Sequence, residues 1–142
     1  MTFSEFKYNV GEVVMFCQII ENDIKYIYCS MLNGDLKANL YALRKEKMTL
    51  GQTILKLKEL DYSDDDHFFQ EEEYDYLLKI TGIRNHWCHD GYTRFVYIKD
   101  FINSDEYLDE CNRLENDHNR LKLFYKVVHE TRIKAMKQYG RN

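Results

Sequence analysis

A chain of 142 residues, 44% apolar and 31% charged, has the size for one hydrophobic core and the make-up of a globular protein, not of a disordered or membrane-embedded one. The net charge of −4 excludes a protein that coats nucleic acid through its overall charge. The first apolar run, Val13 to Cys17, is far too short for a membrane span, and Glu5, Lys7 and Glu12 break any signal-peptide pattern, so a single cytoplasmic domain over residues 1–142 is expected.

Proline is absent, which permits long helices and leaves glycine to punctuate them. Phe3, Phe6, Val10, Val13, Cys17, Ile20, Ile24 and Ile27 recur at steps of three and four, which predicts an amphipathic helix from about Ser4 to Met31. Asn33-Gly34-Asp35 then supplies a turn, with Gly34 free to take positive φ and Asp35 placed to cap the next helix. Leu36, Leu40 and Leu43 mark that helix to about Lys45. Thr49-Leu50-Gly51-Gln52 has the form of a capping box for another, carrying Ile54, Leu57 and Leu60.

The polar stretch from Asp61 to His67 reads as a solvated connection in which Ser63 or Asp64 serves as the next N-cap, with the following helix running to about His89. Tyr92 to Ile98 is rich in β-branched and aromatic residues after Gly91, an extended composition, but a lone strand has no partner and a loop is expected. Ser104, with Asp105 and Glu106 after it, opens the last helix. Its stripe is Leu108, Cys111, Leu114, His118, Leu121, Tyr125 and Val128, and it ends near Gly140. The stripes must cover one another, so the fold expected is an all-α, antiparallel bundle of four to five helices.

Cys17, Cys29, Cys88 and Cys111 form no C-x-x-C pair and are read as reduced thiols, mostly buried. Asp64-Asp65-Asp66-His67 lacks the spacing of a calcium loop and is read as solvated, so neither metal nor cofactor is expected. Charge is unevenly spread. Residues 59–75 hold many acids and no Lys or Arg, whereas residues 119–142 carry Arg120, Lys122, Lys126, Arg132, Lys134, Lys137 and Arg141 against Glu130, seven against one, a local balance of +6. Two solvated helix faces explain this. A phosphate-facing tail, with Lys126, Lys134 and Lys137 on RNA backbone, is the functional reading.

The chemically informative stretch is Arg84-Asn85-His86-Trp87-Cys88-His89. On a regular helix Asn85 and His89 share a face, while Arg84 and His89, five apart, stand about 140° from each other. His86 points away from that face and is expected to be exposed, and Trp87 to pack in the core or a dimer interface.

These residues match the signature of the HEPN superfamily, in which Arg, a polar residue and three variable positions precede His. Met48-Thr49-Leu50-Gly51-Gln52-Thr53-Ile54 also resembles the Leu-Gly-x-Leu-Ile segment found one helix earlier in many members. The resemblance implies a homodimer with two signatures facing one cleft, where RNA is cut without a metal ion. It gives His89 the role of general base toward a ribose 2′-hydroxyl. Arg84 holds and stabilises the scissile phosphate, and Asn85 orients the imidazole or contacts phosphate. Toxin members of this type pair with an antitoxin such as a nucleotidyltransferase and often carry tyrosine two residues after the histidine, where this chain has Gly91. The alternative is a non-catalytic nucleotide-binding or partner-docking module on the same bundle.

Overall fold

The structure is a computed structural model and describes residues 1–141. It is all-α, with no strand among the described residues. Helix α1 spans Phe3–Met31, opened by a capping box in which Thr2 Oγ1 accepts from Glu5 N at 3.1 Å and Glu5 returns a carboxylate oxygen to Thr2 N at 3.1 Å. Gly34 takes φ 96° and the Asp35 carboxylate accepts from Ala38 N at 3.0 Å, starting α2, Leu36–Lys45. Thr49 and Gln52 form the expected box at the head of α3, Leu50–Asp61.

The fourth helix departs from expectation at both ends. No helix starts at Ser63 or Asp64; α4 spans Glu71–Leu77, opened by Gln70 and Glu73. The cause is Asp61, which is buried and not solvated. Its carboxylate accepts from Phe68 N at 2.7 Å, Phe69 N at 3.1 Å and the Tyr74 hydroxyl at 2.6 Å, holding residues 62–70 as a non-helical loop around itself. Downstream, Lys79 N bonds to Tyr76 O at 2.9 Å, a tightened turn that separates α4 from α5, Ile80–Asn85. A π turn, His86–Asp90, completes this broken helix.

Residues 91–100 form turns, as the loop reading expects, anchored by Phe95. This ring is fully buried among Phe3, Phe6, Phe101 and Tyr107, with ring centroids 5.0–6.4 Å apart. Helix α6, Asp105–Gln138, begins at the Ser104 cap. Its buried stripe starts on Tyr107, not on Leu108, which is exposed; Tyr107, Cys111, Leu114, Leu121, Val128 and Ala135 form the inward face. The side chain that fills the aromatic cluster sets the phase, and Leu108 lies one position off it.

Counting α4, α5 and the π turn as one broken helix, the bundle has five helical elements. Its two long helices, α1 and α6, are parallel, whereas the remaining connections reverse direction. The pairs Met1–Tyr107, Glu12–His118 and Asp23–His129 are each separated by 106 residues, and a constant offset is possible only when both helices run the same way. The stripes of both repeat in alternating threes and fours, the 3.5-residue period that keeps a seam facing its partner. Polar ties flank the seam. His118 pairs with Glu12 at 2.9 Å, and the buried Asp23 accepts from Arg132 at 2.8 Å and pairs with His129 at 3.1 Å. Arg141 donates to the carbonyls of Ser30, Leu32 and Gly34, capping the end of α1. No helix among the described residues is long and apolar enough to cross a membrane.

Candidate active site around Arg84 and the π turn

Helix α5 is anchored by Ile80, fully buried, and delivers Arg84 to the surface in its last turn. Arg84 Nη1 donates to both carboxylate oxygens of Glu21 on α1 at 2.5 Å, and Nη2 lies 3.4 Å from Asn85 Oδ1. The ion pair is partly sheltered, with the arginine side chain 30% and the glutamate 14% exposed. Beneath it lies Cys17, whose thiol is pushed up to about 12, first by burial and then by the negative charge of Glu21, with Arg84 opposing. That thiol is inert packing.

The π turn is held to α6 from its inner side. Trp87 is buried and its Nε1 donates to Asp117 at 2.8 Å. His86 Nε2 pairs with the buried Glu110 at 2.8 Å, and Arg94 approaches the other oxygen of that carboxylate at 3.8 Å. His86 is therefore a half-buried structural ligand of α6, contrary to the exposed position expected from a regular helix. With residues 86 and 87 turned inward, Asn85, Cys88, His89 and Asp90 face solvent. Trp87 belongs to the core, and its demand for space explains Gly91. A Cβ at Gly91 would sit 2.7 Å from Trp87 Cε3, closer than any relaxed contact. Gly91→Ala is expected to destabilise the protein by about 1–3 kcal/mol through overpacking, read as a lower urea midpoint at unchanged m-value. An unchanged midpoint would mean that the ring has room to move.

The wide turn also changes the relation between Arg84 and His89. Bonds of the i→i+5 type put more residues into each turn than an α-helix has. Residues five apart spanning that segment therefore stand closer to one face than the 140° of a regular helix.

Arg84 borders a groove of about 530 Å³ between α1, α5 and the head of α3, lined also by Glu21, Lys25, Thr81 and residues Met48 to Gly51. The two short segments singled out in the sequence thus meet in one groove. Asn85 and His89 are exposed beyond its lining, and Lys126, Lys134 and Lys137 lie elsewhere, exposed on α6. Three of the seven cations of the C-terminal segment are engaged within the fold, one of them by a carboxylate. Arg132 is held by Asp23, Arg141 by carbonyls, and Arg120 stacks on the Tyr76 ring at 3.7 Å. Among the described residues, no three or more His, Cys, Asp or Glu cluster as a metal site.

Two residues of this neighbourhood carry no mark in the sequence. Glu21, 63 positions before Arg84, has no local pattern that singles it out. Glu110 is buried on α6 directly beside Cys111 of the stripe, and nothing in the spacing distinguishes it from an exposed acid. No family model matches the chain, and no curated protein or solved structure matches it.

Proposed function

We propose that this chain is a metal-independent endoribonuclease of the HEPN type, acting as a homodimer whose two signatures share one cleft. The observation that carries the reading is the meeting of Arg84 with residues Met48 to Gly51 in one open groove, because these are the two segments on which the resemblance rests. A fork-shaped cation at the rim suits a phosphodiester, and Glu21 fixes its plane while the guanidinium edge away from Glu21 is left for substrate.

His89 is solvent-facing and makes no hydrogen bond among the described residues, so both ring nitrogens are open to exchange protons. In the proposed reaction its unprotonated nitrogen removes the proton of a ribose 2′-hydroxyl. The resulting oxygen attacks the adjacent phosphorus, the P–O5′ bond breaks, and the departing 5′-oxygen receives a proton. The products are a 2′,3′-cyclic phosphate and a 5′-hydroxyl end. Arg84 stabilises the charge that accumulates on the phosphoryl oxygens, and Asn85 holds the imidazole or the phosphate.

The Glu21 pairing favours a second reading, a partner-docking module, since a guanidinium already neutralised binds a further anion less strongly. The purified chain separates the two. Incubated with a panel of unstructured RNAs in EDTA, it is expected to give fragments ending in 2′,3′-cyclic phosphate, identified by mass spectrometry. Intact RNA across the panel would leave the docking module.

A further inference from the structure

We infer that the path of the RNA strand runs from Arg84 into a second, adjoining pocket built by Lys25, Arg44 and Lys47, and not over the basic C-terminal helix; this rests on the ribonuclease reading. The second pocket, about 240 Å³, lies between α1 and α2 and is lined by these three cations together with Asn22, Tyr26 and Met48. It shares Lys25 and Met48 with the groove of Arg84, so the two cavities adjoin across these side chains and make the trough of the proposed path.

Charge separates this trough from the rest of an acidic surface. No carboxylate lines the second pocket, and Lys25, Arg44 and Lys47 have no ion-pair partner among the described residues. The one acid along the trough, Glu21, is engaged by Arg84. The head of α3 opens onto the same space and adds partial positive charge. A basic channel with an aromatic and apolar wall is the chemistry that holds a single strand, phosphates on the cations and a base or sugar against Tyr26 and Met48. The pocket is smaller than sites that enclose a drug-sized ligand, which suits one nucleotide unit of a strand passing through.

The backbone places Lys47 at the end of α2. It occupies the residue after the α2 cap with φ 54°, a left-handed conformation that ordinarily selects glycine at a helix end. This conformation sets Lys47 among the residues that line the second pocket.

The test measures binding of a fluorescent single-stranded RNA made with 2′-O-methyl riboses, which lack the attacking hydroxyl and so cannot be cut. Lys25→Gln/Arg44→Gln/Lys47→Gln is expected to weaken affinity at least tenfold and to reduce the slope of log K against log salt by about 2, since each phosphate no longer neutralised accounts for about 0.7. Lys126→Gln/Lys134→Gln/Lys137→Gln is expected to leave both within twofold. Lys47→Gly alone should weaken binding while its melting temperature stays level or rises, a combination that damage to the fold does not produce. Equal affinity for the trough variant and wild type overturns the inference, as does equally strong competition by polyglutamate, which would mark a surface for acidic peptides. Cleavage of ordinary RNA by wild type is scored separately. Cutting with an unaffected trough variant overturns this path and leaves the ribonuclease reading intact, whereas trough-dependent binding without cutting supports the path and removes the ribonuclease.

Discussion

His89→Ala is expected to lower the single-turnover cleavage rate by about 10²–10⁴, the range that a positioned general base contributes, while RNA affinity and melting temperature stay near those of wild type. The side chain is exposed and bonded to nothing among the described residues, so its removal empties no core and orphans no partner. Arg84→Ala is expected to cost about 10²–10³ in rate through lost phosphate stabilisation, and Arg84→Lys to restore little of it, because an ammonium does not reproduce the planar fork.

The two variants differ in what they do to the fold. Arg84→Ala leaves the Glu21 carboxylate, 14% exposed, without its cation, a penalty of about 1–3 kcal/mol. The double variant Arg84→Ala/Glu21→Gln removes that charge and is expected to recover most of the stability with none of the activity. Rates measured on labelled RNA in EDTA, beside thermal melts, decide the matter. A His89 variant that cuts at the wild-type rate, or an Arg84→Ala defect repaired by Glu21→Gln, would end the assignment of these residues to the chemistry.

The helices that proved legible in the sequence are those whose boundaries are set locally. Asp35, Thr49 with Gln52, and Ser104 all cap where the sequence places them, because the bonds they make span three residues. What was not legible depends on contacts between distant segments. Leu108 and Tyr107 are equally apolar by pattern, and only the aromatic cluster around Phe95 decides which turns inward. The parallel course of α1 and α6 follows from pairs 106 residues apart. The candidate site divides in the same way. Asn85 and His89 emerge as exposed residues near a helix end, as their positions suggested. The geometry between Arg84 and His89, by contrast, depends on a π turn clamped by Glu110 and Asp117 from α6, and spacing alone contains no sign of it.

Asp61→Ala is expected to be the most damaging single change outside the apolar core, lowering stability by about 3–5 kcal/mol, a large part of the margin of a domain this size. The carboxylate is 1% exposed and accepts three hydrogen bonds, from two main-chain amides and a tyrosine hydroxyl, all of which lose their acceptor when it is removed. Asp61→Asn keeps one acceptor oxygen but meets these three donors with an amide group that is itself a donor, so it is expected to recover only part of the loss. Tyr74→Phe removes a donor and leaves Asp61 two amides, at a smaller cost of about 1 kcal/mol. In the double variant Asp61→Ala/Tyr74→Phe the losses should fall short of additive, since the hydroxyl is no longer left unpaired. Burial first, then the bond to Asp61, holds the Tyr74 hydroxyl well above its usual value of 10.0. Its proton is thus bound more tightly in the folded chain. The associated stability is fully present below about pH 10 and is lost as pH rises above it, more steeply in wild type than in Tyr74→Phe. Urea titrations of wild type and the four variants at neutral pH, repeated for wild type and Tyr74→Phe between pH 8 and about 11, provide the check. A loss under about 1 kcal/mol for Asp61→Ala would mean that residues 62–70 keep their course without the carboxylate, and that another interaction sets where α4 begins.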